Sequence, residues 1–299
     1  MKILLTGGTG FLGSHLSDFL IKHNHELTII SRSPENYRKF ESNNRHFVAW
    51  QSDLSNIISE ADAIINLAGK NLFDQRWTNE VKRDIRNSRI NVTTAIIEGI
   101  KKAQNKPKVL LSASAVGYYG DRGDEMVTEE SPAGDDFLAL LCKDWEGEAL
   151  KAGKSGVRVV IPRIGIPLAK DGGALQQMLT PFRYFVGGAL GNGQQYFPWI
   201  HIEDLCRSFH YVLTNDDFKG AFNVSSPNPV TMNKFAKALG TALNRPSLFS
   251  VPEFALKLAL GDAAKPVTAS LRVIPKKLLD HGFQFKYKKV LPSLIDIVD

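Results

Sequence analysis

Gly7, Gly10 and Gly13 stand three residues apart in Thr6-Gly7-Gly8-Thr9-Gly10-Phe11-Leu12-Gly13. The apolar run Ile3-Leu4-Leu5 precedes them, and Leu16, Phe19 and Leu20 follow at helical intervals. Strand, glycine turn and helix in that order can cradle a diphosphate. The first glycine permits the tight turn, the second lets the backbone approach the phosphates, and the third lets the helix pack on the strand, while the helix amino terminus faces the negative charge. Thr9, Phe11 and Leu12 belong to the same cradle. In a chain with 24 glycines the spacing alone arises by accident, so its weight comes from the elements on either side.

The second apolar run ends Ile29-Ile30-Ser31-Arg32-Ser33. A fold that binds a ribose 2′-hydroxyl carries an acidic residue about 20 residues past the glycines. Here an arginine stands between two hydroxyls instead, which suits a 2′-phosphate through charge-assisted hydrogen bonds. NADP(H) is therefore expected over NAD(H), with Ser31 and Arg32 as contacts. An arginine opening a solvated loop would read the same way. Asp53-Leu54 either meets the adenine or caps a helix, and Leu67-Ala68-Gly69 either runs along the adenosine or forms an ordinary turn.

These residues need a scaffold. Strand signals fall near residues 2–6, 26–31, 46–50, 62–67, 108–113 and 157–162, with helical stretches between them and the longest helix at about 79–103. The expected fold is α/β, a Rossmann-type doubly wound parallel sheet. After Pro162 the texture changes to glycine pairs and frequent prolines. This marks a smaller, irregular C-terminal substrate domain at 166–299 beside a dinucleotide-binding domain at 1–165, with return segments near 199–224. The substrate pocket is expected between the two, at the carboxyl ends of the strands.

Composition narrows the function. With 43% hydrophobic and 23% charged residues the chain reads as an ordinary globular enzyme. The net charge of +6 is scattered and not gathered into a stripe with stacking aromatics, which argues against a nucleic-acid partner. No apolar run approaches eighteen residues, so no membrane span is expected. The two cysteines, Cys142 and Cys206, argue against a disulfide framework or a thiolate metal site. A reducing, cytoplasmic location is expected.

Four segments carry a family resemblance: Thr6 to Gly13, Asn66-Leu67-Ala68-Gly69, Ser112-Ala113-Ser114-Ala115-Val116-Gly117-Tyr118-Tyr119-Gly120, and Pro162-Arg163-Ile164-Gly165. Together they resemble the extended short-chain dehydrogenase/reductases, the NAD-dependent epimerases and dehydratases. The ending Ser270-Leu271-Arg272-Val273-Ile274-Pro275-Lys276-Lys277-Leu278-Leu279-Asp280-His281-Gly282-Phe283 resembles the epimerase family 39U branch. Within these motifs Ser112, Pro162 and Arg163 are expected as further cofactor contacts. The resemblance also implies a catalytic Ser, Tyr and Lys, in which the serine orients the substrate, the tyrosine exchanges a proton, and the lysine lowers the tyrosine pKa and holds the nicotinamide ribose. A dimer through two helices would be family-like; a monomer is equally expected.

Ser114 matches the serine. Aligning Glu146 with a glutamate common in the family puts Leu138 at the tyrosine and Cys142 at the lysine, and no Tyr-x-x-x-Lys occurs anywhere in the chain. Tyr119 is the candidate replacement donor, or else a packing residue. Cys142 faces the cofactor or lies inert in the core. His201 is the candidate acid or base among the histidines, or else caps the helix that follows. Arg86 and Arg89, one turn apart with Arg83 before them, either hold an anionic substrate or form a solvated face. The expected activity is an NADP(H)-dependent oxidoreductase or nucleotide-sugar-epimerase-like reaction on a small polar carbonyl or hydroxyl compound. The alternative is a non-catalytic NADP(H) sensor.

Overall fold

The computed structural model describes residues 1–51 and 53–299. Seven parallel strands form the main path of the central sheet, with the two-residue strand Ser114–Ala115 pairing beside it: β1 (Lys2–Thr6), β2 (Glu26–Ser31), β3 (Arg45–Ala49), β4 (Ala63–Asn66), β5 (Val109–Ser112), β6 (Arg158–Ile164) and β7 (Gly220–Val224). Their spatial order is β7-β6-β5-β4-β1-β2-β3. The order reverses at β1, so the chain crosses the sheet there and opens a crevice at the carboxyl ends. The expected doubly wound sheet is present, with strand ends within about two residues of the sequence reading.

Alternation of side chains explains why these runs are strands covered on both faces. Ile3, Leu5, Ile65 and Leu111 point into one core with Leu16 and Leu20 of α1 (Phe11–Lys22) and Phe209 of the helix Ile202–Thr214. Leu4, Ile64 and Leu110, one residue out of step, point into the opposite core against Ile96, Ile97 and Ile100 of the helix Asn79–Lys102. A period of two feeding two buried faces leaves no polar face, so the strands read as continuous apolar runs.

Between α1 and the long helix lies the short α2 (Ser55–Ser59); the long helix is α3, and α4 is Phe137–Leu150. Thr78 caps α3 by accepting from Val81 N (3.2 Å), and Asp136 caps α4 by accepting from Ala139 N (2.8 Å). The C-terminal part contributes α5 (Gly173–Arg183), α6 (Ile202–Thr214), α7 (Met232–Leu243), α8 (Glu253–Leu260) and a last helix at Val290–Val298. Leu175, Phe182, Trp199, Phe235, Leu239 and Leu294 give this part a core of its own.

The segment 199–224 divides between the two parts. Gly220–Val224 is the edge strand of the main sheet, whereas Trp199–His201 pairs with Ile166–Leu168 outside it. Ile200 nevertheless packs in the main core and Trp199 in the C-terminal one, so this short strand stitches the two together. No helix among the described residues is long and apolar enough to cross a membrane.

Candidate active site

The glycine turn lies between β1 and α1. Gly7 has φ +73°, and a Cβ there would lie 2.7 Å from the Leu67 carbonyl carbon after β4. A Cβ at Gly13 would run into the Gly7 carbonyl oxygen and lie 2.6 Å from the Gly8 Cα. These two glycines serve the protein's own packing. Gly10 differs, because its backbone is extended at φ −82° and the nearest atom to a Cβ is 3.4 Å away. It stands at the N-cap position of α1, where no side chain caps the first N–H groups, which leaves open space before the N–H groups that begin the helix. That is the cradle a phosphate requires.

The flanking residues are arranged around this opening. Thr9, Phe11 and Leu12 are half-buried, and the Phe11 ring lies against Gly173 at the start of α5, where a Cβ would sit 2.8 Å from it. At the end of β2, Ser31 is buried and its hydroxyl accepts from Ser33 N (3.2 Å), while Arg32 is exposed with no ion pair among the described residues. The Asp53 carboxylate lies beside the start of α2, where it accepts from Ser55 N (2.9 Å), and this bond with nearby Lys102 holds it below the usual carboxylate range. Leu54 is buried under the sheet.

A buried polar relay ties the strand ends together. Thr6 donates to Asn66 Oδ1 (2.7 Å), and Asn66 Nδ2 donates to Thr93 (2.9 Å) and to Ser112 (3.2 Å). Trp145 Nε1 also donates to Thr93 (2.9 Å), and Ala68 N reaches Asn66 Oδ1 (3.3 Å). Ser112 therefore has its hydroxyl committed inside the protein, and the Leu67-Ala68-Gly69 turn is set by Asn66. Buried networks of this kind rigidify the residues that they join.

Ser114 leaves the end of β5 and pairs with Arg163 of β6 across a two-residue extension. Its hydroxyl donates to Glu146 Oε1 (2.7 Å) on α4. Arg163 grips the same carboxylate twice, Nε to Oε1 and Nη2 to Oε2, both at 2.9 Å. Its remaining edge donates to the Tyr119 hydroxyl (3.0 Å), which in turn donates to Asn223 Oδ1 (2.6 Å) on β7. Tyr118 covers the guanidinium, with its ring centroid 3.4 Å from Cζ. Burial opposes the Arg163 charge, but the bonds to Glu146 and the neighbouring Tyr119 outweigh it and raise its pKa. Pro162 lies one residue earlier, beside Phe222.

Burial pushes the Tyr119 phenol up to about 12, and its ring is fully enclosed. Cys142 lies against Ser114 and the Ala115 backbone; burial and then Glu146 push its thiol up to about 11. Leu138, one turn earlier, is half-buried against Gly117 and packs with Trp77 and Ala263. Leu138 and Cys142 thus face the loop that carries Ser114, and neither brings a titratable group suited to neutral pH. His201 is elsewhere in the contact pattern. It caps α6 by accepting from Glu203 N (3.1 Å) and stacks on Tyr287 at 3.6 Å. Its Nε2 comes within 3.3 Å of Asp296 without hydrogen-bond geometry, and burial lowers its pKa.

The sequence reading missed Glu146 as a partner of Ser114, and it missed Asn223 altogether. No local signal announces either, because Glu146 and Asn223 approach from an α4 turn and an edge strand. Among the described residues no group of three potential metal ligands converges.

Comparison with known proteins accords with this geometry. The NAD dependent epimerase/dehydratase family matches residues 3–225, and a domain of unknown function, DUF1731, matches 251–297. Epimerase family protein SDR39U1 homolog from Arabidopsis thaliana, described as chloroplastic, is 42% identical, covering 98% of this chain and 86% of its own. Epimerase family protein YfhF from Bacillus subtilis is 39% identical over 100% of this chain and 98% of its own. The crystal structure of human epimerase family protein SDR39U1 with NADPH superposes with a TM-score of 0.89 at 32% identity, covering 99% of both chains. The chain belongs to the NAD-dependent epimerase/dehydratase family, among its SDR39U1-type members.

Proposed function

We propose that this protein binds NADP(H) and uses it as an oxidoreductase or epimerase-like enzyme on a small polar hydroxyl or carbonyl compound. The observation that carries the reading is the open space over Gly10 at the uncapped start of α1, while Gly7 and Gly13 are closed by the protein itself. Exposed Arg32 at the end of β2 supports the phosphorylated cofactor, as does the NADPH in the human relative's structure. When bound, the cofactor supplies or accepts a hydride at C4 of its nicotinamide.

Ser114 directs its proton to Glu146 and keeps its lone pairs, so it is suited to accept a hydrogen bond from a substrate hydroxyl. Arg163, Tyr119 and Asn223 act as positioning residues that fix Glu146 and through it Ser114. His201 positions α6. Burial holds the Tyr119 phenol up at about 12 and the partners of Arg163 raise its pKa, so neither releases a proton readily near pH 7, and the proton that accompanies hydride transfer comes from the substrate or solvent. That same observation favours a second reading, a cofactor sensor without turnover.

Two measurements test this. Calorimetry should show NADPH binding at least about tenfold tighter than NADH, equivalent to ~1.4 kcal/mol, with Arg32→Ala removing most of the difference. Equal affinities in the wild type sink the choice of cofactor. NADPH deuterated at C4 should lose its label to a pool of small carbonyl compounds; retention of the label favours the sensor.

A further inference from the structure

Three arginines share the first half of α3, and the structure treats them differently. Arg83 is exposed, and Arg86 reaches Asp144 at 2.9 Å on the surface. Arg89 turns inward. Its guanidinium lies flat against Gly69 in the turn after β4, where a Cβ would sit 2.9 Å from Cζ and 3.2 Å from both Nε and Nη2. Trp145 of α4 flanks it, with the ring centroid 5.4 Å from Cζ, and its charge bears on Cys142.

A guanidinium carries five N–H donors. Among the described residues the Arg89 guanidinium makes one hydrogen bond, from Nη1 to the Ile85 carbonyl of its own helix (3.0 Å), and has no carboxylate partner. Burial lowers its pKa, so the charge is partly desolvated. No Arg89 nitrogen is both buried and unpartnered, so the donors left over open onto space that a ligand oxygen can enter.

The sheet order says which ligand. The phosphate cradle stands over β1, and the adenosine end lies toward β2, where Ser31 and Arg32 are. The other half of a dinucleotide must then cross β4 toward β5. Neighbouring strands are about 4.8 Å apart, so Gly69 and Arg89 lie about one strand from the cradle, the reach of a second ribose. Gly69 has no side chain to block that path.

We propose that Arg89 is a cofactor-binding residue that holds the ribose of the nicotinamide half of NADP(H), reaching it from α3 across Gly69. This rests on the cofactor reading above. Arg89 supplies the cation that Cys142 does not provide from α4, and the absence of a side chain at residue 69 is part of the same site.

The test compares NADPH with 2′,5′-ADP, a fragment that has the adenosine end and no nicotinamide riboside, on folded full-length protein by calorimetry. Arg89→Met should weaken NADPH at least tenfold while leaving 2′,5′-ADP within twofold, and Arg89→Lys should recover part of the loss. Gly69→Leu gives an independent variant with the same expected split. Unchanged NADPH affinity in Arg89→Met, or equal losses for both ligands, overturns the assignment while leaving the cofactor reading standing. A wild-type protein that binds neither ligand overturns both.

Discussion

Replacing Gly10 with valine separates the ligand's requirement from the protein's own. The backbone at Gly10 is extended at φ −82° and ψ 175°, which a β-branched residue adopts without strain, and a Cβ there meets nothing closer than 3.4 Å. The variant should therefore fold, with a melting temperature within a few degrees of the wild type. Its isopropyl group would occupy the space in front of the first N–H groups of α1. If two charge-assisted hydrogen bonds to phosphate are lost at about 1.5–3 kcal/mol each, binding weakens by roughly 3–6 kcal/mol, or about 10²- to 10⁴-fold. Gly13→Ala is the internal contrast, since its methyl would strike the Gly7 carbonyl and should lower stability directly. Calorimetric titration with NADPH beside thermal melting of both variants reads the two effects apart. A folded Gly10→Val protein that binds NADPH within threefold of wild type would refute the assignment of the cradle.

Removing Arg163 strands a buried carboxylate: Arg163→Met should cost about 3–5 kcal/mol, seen as a fall in melting temperature of roughly 10 °C, and a cost below about 1 kcal/mol would mean that Glu146 is better solvated than its 7% exposure indicates. The Cys142 thiol, pushed up to about 11, should resist iodoacetamide at pH 7.5 in the native protein and react on unfolding; rapid native labelling would contradict its burial. His25 is held at about 4 by burial first, and next by the amino terminus and neighbouring His210. An unfolded chain takes up this proton near pH 6.5 and the folded one near pH 4, so stability should fall as pH drops through that window. His25→Phe should flatten the decline in melting temperature between pH 6.5 and 4, and an unchanged slope would exclude His25 as its source.

The sequence by itself determined the scaffold and one end of the site. Ala63-Ile64-Ile65 reads as a strand covered on both faces, because a continuous apolar run bounded by turn residues has no solvent face to offer, and in the structure its alternate residues, like those of Ile3-Leu4-Leu5, enter two different cores. The glycine turn was legible for the same local reason: backbone freedom and helix onset are written in neighbouring residues. The missing Tyr-x-x-x-Lys was legible too, since an absence over the whole chain needs no geometry.

What only the tertiary structure decided is how polar groups pair across long separations. Arg83, Arg86 and Arg89 look alike in a helical repeat, yet the packing of Gly69 and Trp145 draws the last of them inward. Arg163 and Glu146 are 17 residues apart, and Tyr119 and Asn223 are 104 apart. Such bonds form only where the interior removes water as a competing partner and leaves one geometry that satisfies every donor. That condition belongs to the assembled sheet and helices, and no stretch of sequence contains it.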